Sequence, residues 1–228
     1  TEESKKIHSE INIPFLSASD DTIINISIAP RFDINDNAEG LVMAIEDISD
    51  INKVKNTFKR YVSKQVVDNL LDDDTKLKLG GEDREVTILF TDIRGFTAMS
   101  EKMEPENVVL TLNEYFSEMI DIVFKYNGTL DKIIGDELMI VFGAPLSSKD
   151  DTDRALITAI EMQKKIIELN KLRKKRNEPP ILVGAGINKG RVVSGNIGSR
   201  DMMDYTVVGD TVNLGARLCS AASAGEII

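Results

Sequence analysis

The chain is poor in cysteine, in long apolar runs and in positive charge. A single cysteine, Cys219, rules out an internal disulfide and is in keeping with a reducing, cytoplasmic setting. No stretch approaches the roughly eighteen apolar residues of a membrane-spanning helix, and no secretory signal peptide is visible. Only 28 Lys and Arg stand against 38 Asp and Glu, a formal net charge of −10. Nucleic-acid binding needs clustered cations against phosphate, so this acidic balance argues against DNA or RNA as a partner. The one basic run, Lys171-Leu172-Arg173-Lys174-Lys175-Arg176, falls at the end of a predicted helix. Cations there oppose the helix dipole, and the run reads as a solvated helix end. The sequence begins at Thr1 and stops in an apolar, strand-like Glu226-Ile227-Ile228. It reads as a segment of a larger protein, with a membrane anchor upstream left open.

What is present divides into three parts. Residues 1–49 read as β structure, with candidate strands at 7–16, 22–29 and 40–48. Ile24, Ile26 and Ile28 alternate with polar residues, the pattern of a half-buried strand, and Asp33 to Asn37 form a hairpin loop. Residues 50–79 read as a helical linker capped by Ser49 or Asp50. Ile51, Val54, Phe58 and Tyr61 make a short heptad stripe, and Val66, Val67, Leu70 and Leu71 resume an apolar face. Asp72-Asp73-Asp74 and Gly80-Gly81 mark the next boundary. Residues 80–228 hold the larger domain, expected as strand 86–91, helix 105–126, strands 129–134 and 137–142, and helix 151–176. Strands at 181–189, 191–196 and 204–208 follow, then helix 210–222. Pro105 suits the first helical turn, and Asn127-Gly128 supplies a residue of positive φ at the end of that helix. The fold class is therefore α+β, with a ferredoxin-like βαββαβ core.

Two aspartates carry the chemistry. Asp92 follows the apolar run Val86 to Phe90, and Asp136 follows Ile133-Ile134-Gly135. A strand ending in a carboxylate beside a glycine turn brings anionic oxygen and free N–H groups to one spot. Mg²⁺ bound to polyphosphate suits such a spot, since it takes one or two protein carboxylates plus phosphate oxygens. Two such strand ends side by side could hold two metals about 3.5–4 Å apart for in-line attack at phosphorus. The plainer reading of an Asp after a strand is a turn former or a helix cap, and Thr97 could cap the helix that follows. Right-handed crossovers place the end of strand 86–91 beside the turn at Gly135, and so bring Asp92 to Asp136. Further on, Asn213 and Arg217 are four apart on the predicted helix and share one face. An ordinary surface pair would look the same.

Taken together, these motifs resemble the class III nucleotidyl cyclases of the bacterial adenylate cyclase type. The likeness rests on Phe58 to Ser63 with Val66-Val67, on Leu79 to Thr87, on the two aspartate motifs, and on Asp204 to Leu218, in that order. It implies that Asp92 and Asp136, with the carbonyl of Ile93, bind two Mg²⁺ (or Mn²⁺). It implies that the backbone of Ile93, Arg94, Gly95, Phe96 and Thr97 cradles phosphate oxygens. It further implies that Asn213 orients the ribose and that Arg217 meets transition-state charge. In that family those two residues come from a second subunit, so a homodimer would hold two composite sites. The substrate implied is ATP, converted to 3′,5′-cyclic AMP and pyrophosphate. Lys132 and Thr206 stand at the base-reading positions, where a donor and an acceptor suit adenine N1 and N6. Guanylate cyclases resemble this family with Glu and Cys in those places.

Asn188 stands where many relatives carry His. Relatives also continue past Ile228 with further sheet and a triphosphate-binding lysine, which has no counterpart here. The N-terminal part is similar to the last strands of a PAS sensor ending in its Asp-Ile-Ser exit, Asp47-Ile48-Ser49. That likeness implies an upstream sensor region that signals through helix 50–72. The rival readings are a diguanylate cyclase, from the Ile134-Gly135-Asp136-Glu137-Leu138 hairpin, a guanylate cyclase, or a silent nucleotide-sensing and dimerising module.

Overall fold

In the computed structural model, which describes residues 10–12, 22–58, 79–199 and 202–228, the chain divides into two compact units, Thr1–Val62 and Ser63–Ile228. In the first, β1 (Glu10–Asn12), β2 (Ile23–Phe32) and β3 (Ala38–Asp47) form an antiparallel sheet in that order, followed by α1 (Ser49–Phe58). The β2–β3 turn is built by Asp33, whose Oδ1 accepts the N–H groups of Asn35 at 2.7 Å and Asn37 at 2.9 Å. Burial along β2 fades rather than alternates: Ile24 is buried, but Ile28 is exposed. At the start of α1, neither Ser49 nor Asp50 caps. Asp47 accepts the Ser49 N–H at 2.9 Å, and Ser49 Oγ instead takes the Ile23 N–H at 2.9 Å. Ile51 and Val54 of the heptad stripe are exposed. The side chain of Phe58, all of Tyr61, the 66–71 face and Asp72 to Asp74 lie outside the described residues, as does most of the expected strand 7–16.

The second unit contains β4 (Gly80–Ile93), α2 (Phe96–Ser100), α3 (Pro105–Lys125), β5 (Thr129–Ile134), β6 (Glu137–Phe142), α4 (Asp151–Lys175), β7 (Val183–Gly198), β8 (Met203–Val208) and α5 (Asp210–Ala221). The strands lie in the order β5-β6-β4-β7-β8, every neighbouring pair antiparallel. Successive side chains on a strand point to opposite faces, and β4 shows what that places where. Leu89 and Ile93 enter a core closed by α3 and α4, with Tyr115, Met119 and Met162. Val86, Ile88 and Phe90 enter a second core, closed by α5 through Cys219. By the same parity Asp92 and Arg94 belong to the α5 side.

Two expected strands, 181–189 and 191–196, are one, because β7 pairs with β4 from Val183 through Asn196. Gly190 is no break: a Cβ there would lie 2.5 Å from Thr211 Oγ1, so the missing side chain makes room for the start of α5. Ile181 stays out of the ladder because Asn170 holds it from both sides, donating to its carbonyl at 2.6 Å and accepting its N–H at 2.8 Å. Thr97 does not cap α2; Gly95 stands at that N-cap with φ 69° and no side-chain cap bond. The basic run ending α4 is not uniformly solvated either. Arg173 is 1% exposed, paired with Glu114 at 2.6 Å and Glu178 at 3.2 Å, and donates to Pro179 O at 2.9 Å. Among the described residues no helix is long and apolar enough to cross a membrane.

Candidate active site

The end of β4 and the β5–β6 turn meet. Gly135 takes φ 66° and turns the chain, so that the Asp136 carboxyl reaches that of Asp92 and accepts backbone N–H bonds from Ile93 and from its own residue. Burial, and then the Asp92 carboxylate, push Asp136 up to about 6. Glu137 is pushed up to about 7 by burial and by the same two aspartates. Like charges held this close favour whatever neutralises them. Among the described residues no three His, Cys, Asp or Glu side chains are grouped to ligate one ion. The side-chain donors at this spot are therefore the two carboxylates of Asp92 and Asp136. An oxygen-only set of that size fits Mg²⁺ or Mn²⁺ brought with a polyphosphate.

Arg94 is the cation already at this spot. Its Nη2 lies 2.8 Å from Asp92 Oδ2 and 3.6 Å from Cys219 Sγ, and its Nη1 donates to Ser220 O at 3.5 Å. It thereby ties the carboxylate end of β4 to the last turn of α5. The Arg94 N–H is used by Leu182 O at 2.7 Å, which removes it from the phosphate cradle expected over residues 93–97. Phe96, Thr97 and the next residue begin α2, where amides have no intrahelical acceptor.

Helix α5 carries Asn213 and Arg217 on its outer side. Both are exposed, and among the described residues neither side chain has a hydrogen-bond or ion-pair partner. The helix is fixed from beneath: Asn188 Nδ2 donates to Thr211 O at 2.8 Å. A Cβ on Gly186 would meet the backbone of Gly215 at 2.7 Å and of Cys219 closer still, and one on Gly215 would touch the Phe90 ring at 3.1 Å.

Lys132 and Thr206 also come together, although β5 and β8 are opposite edges of the sheet. Thr206 Oγ1 donates to Asp131 Oδ2 at 2.9 Å, and Lys132 Nζ lies 3.3 Å from that oxygen and 2.8 Å from Asp204 Oδ2. Thr and Asp side chains are short, so the sheet curls until its edges nearly meet. Burial works against the Lys132 charge, but Asp204 and Asp131 prevail and raise its pKa. Asp131, Asp204 and the side chain of Arg94 escaped sequence reasoning. The faint signals were the acidic neighbour of Lys132 and the spacing of two from Asp204 to Thr206, which puts both on one strand face.

The chain matches the model of the adenylate and guanylate cyclase catalytic domain over residues 81–228. The guanylyl cyclase Cya2 is 44% identical, with a TM-score of 0.63 over 65% of this chain and 76% of that one. The adenylyl cyclase CyaB from P. aeruginosa is 41% identical, with a TM-score of 0.63 over 65% and 78% of the two chains. An adenylate cyclase of Anabaena cylindrica is 35% identical over 205 residues, 82% of this chain and 40% of that protein. The chain spans less than half the length of the curated relatives it matches. With the βαββαβ core, the paired strand-end aspartates and this match over most of the chain, the protein belongs to the class III nucleotidyl cyclases.

Proposed function

We propose that the domain converts ATP to 3′,5′-cyclic AMP and pyrophosphate at sites shared between two copies of the chain. The observation that carries the choice of ATP is the meeting of Lys132 and Thr206 at Asp131. Adenine offers an acceptor at N1 and donor protons at N6; a lysine ammonium can only donate, and a hydroxyl can accept. Guanine presents the reverse pattern.

Asp92, Asp136 and the Ile93 carbonyl would hold two divalent cations, which when bound supply activation of the ribose 3′-hydroxyl and charge for the triphosphate. The chain's own residues do the rest. Asn213 hydrogen-bonds the ribose and fixes the 3′-oxygen in line with the α-phosphorus, a positioning effect of the kind that lowers barriers by several kcal/mol. Arg217 meets the negative charge that grows on the α-phosphate oxygens as pyrophosphate leaves, where a preorganised cation does most. Neither reaches a partner in its own chain among the described residues, which suits residues that act on a site contributed by a second copy. A two-fold homodimer then has two sites. The N-terminal strands and α1 would transmit a signal from an upstream sensor region to the pairing of the two copies, on the cytoplasmic side of any membrane. A two-residue insertion near Asn56 that left regulation intact would refute the transmission.

The second reading is a guanylate cyclase, favoured by the likeness to Cya2. Incubating the full-length protein with ATP or GTP and Mg²⁺ or Mn²⁺, and identifying the product, decides between them. Cyclic AMP from ATP, abolished by Asp92→Ala, is expected. Cyclic GTP-derived product as the main species, or none from either nucleotide, would overturn the proposal.

A further inference from the structure

A hydroxyl is an ambiguous reader of bases. Threonine can accept from the N6 amino group of adenine, and by turning its O–H it can equally donate to the O6 of guanine. Thr206 on its own therefore distinguishes the purines poorly. Its surroundings remove the ambiguity. Thr206 Oγ1 lies 2.9 Å from Asp131 Oδ2, and a carboxylate can only accept, so the hydroxyl proton is committed to Asp131. What remains facing outward is a pair of lone pairs.

Asp131 is held for this task. Its side chain is only 4% exposed; burial raises its pKa, and the Lys132 ammonium, 3.3 Å from the same Oδ2, opposes that and favours the acceptor-only carboxylate. The β5–β6 register slips between Leu130 and Lys132, which makes Asp131 the extra residue of a β-bulge. Such bulges turn a side chain off the regular alternation. Here the bulge lets neighbours Asp131 and Lys132 both address β8, where Thr206 and Asp204 stand. One buried carboxylate thus touches both base-reading groups.

We infer that Asp131 is a positioning residue that sets the choice of adenine over guanine, by fixing Thr206 as an acceptor only. The inference rests on the adenylate reading of the same site and adds to it a residue that does not touch the base. With Asp131 in place, guanine O6 would meet the Thr206 lone pairs and its N1–H the Lys132 ammonium. Without it, the Thr206 hydroxyl can rotate, and GTP gains a donor.

The test is the ratio of kcat/KM for ATP to that for GTP in the full-length enzyme, for wild type, Asp131→Ala, Thr206→Val and the double variant. Asp131→Ala should lower the ratio by about tenfold or more, the worth of about one hydrogen bond, chiefly through KM. Thr206→Val should lower it too, and adding Asp131→Ala on that background should change it by less than about twofold, because the two act through one group. A merely structural role would slow both nucleotides alike and leave the ratio unmoved; that result, or a double variant in which the two effects multiply, overturns the inference. If Asp131→Ala does not fold, the isosteric Asp131→Asn serves. Its amide can donate to Thr206 as well as accept, so the ratio should still fall by at least about threefold, and an unchanged ratio again overturns the inference. A wild-type enzyme that prefers GTP sinks the adenylate reading itself, whereas ATP preference with multiplicative variants sinks only the role of Asp131.

Discussion

The Arg94 guanidinium sits 2.8 Å from the Asp92 carboxylate while its other contacts reach Cys219 and Ser220 at the end of α5. One side chain therefore joins the carboxylate end of β4 to the helix that carries Asn213 and Arg217. Arg94→Ala should leave the fold intact, since Arg94 belongs to neither apolar core. It should lower kcat/KM for ATP by about 10- to 100-fold, the usual cost of letting a positioned group drift by an ångström. Arg94→Lys keeps the charge but not the planar fork that reaches both Asp92 and Ser220, and should recover only part of the loss. Wild-type rates for Arg94→Ala would mean that the two elements are set without it.

Gly186→Ala places a methyl group against the backbone of Cys219 and 2.7 Å from the Gly215 carbonyl. Neither is a flexible side chain that can yield, so α5 must lift from β7. Overpacking of this kind costs about 1–3 kcal/mol. Because α5 carries Asn213 and Arg217, activity measured well below the melting temperature should fall further than the stability loss explains. Normal activity with a lowered melting temperature would show that the helix height is not critical.

Glu114 accepts from Arg173 Nη1 and Arg176 Nη2, each at 2.6 Å. Partial burial works against its charge, but these bonds prevail and hold its carboxyl below the usual range. Its pKa is lower folded than unfolded, so its contribution is complete above the unfolded value near 4.3 and is lost as pH falls through the folded value. Glu114→Gln should therefore cost about 2 kcal/mol at neutral pH, less than the ~3–5 kcal/mol for orphaning a buried charge, because Glu178 still pairs with Arg173. Urea denaturation should show the variant and wild type converging below about pH 4. A constant gap between them down to pH 3 would contradict the ion-pair explanation.

Much of the fold could be read from local signals. Helices α3 and α4 and the β5–β6 hairpin announced themselves through periodicity, Pro105, Asn127 and Gly135. The meeting of Asp92 with Asp136 followed from crossover handedness. What stayed hidden depended on partners distant in sequence. Gly190 looked like punctuation because nothing local says that Thr211 packs over it. Arg173 looked solvated because Glu114, its shortest ion-pair partner, lies 59 residues away in the chain. Asp131 and Asp204 gave no sign of their contacts, since neither the bulge in β5 nor the curl that brings β8 to it is written in any short window.

In the proposed dimer each active site is assembled from two copies, with Asp136 from one and Arg217 from the other. Asp136→Ala and Arg217→Ala chains, each inactive alone, can be mixed in equal amounts and assayed for cyclic AMP formed from ATP. Random pairing puts half the chains in heterodimers with one intact site of two, so about a quarter of wild-type activity should return. If the mixture stays as inactive as its components while exchange of subunits is verified, the shared site is wrong.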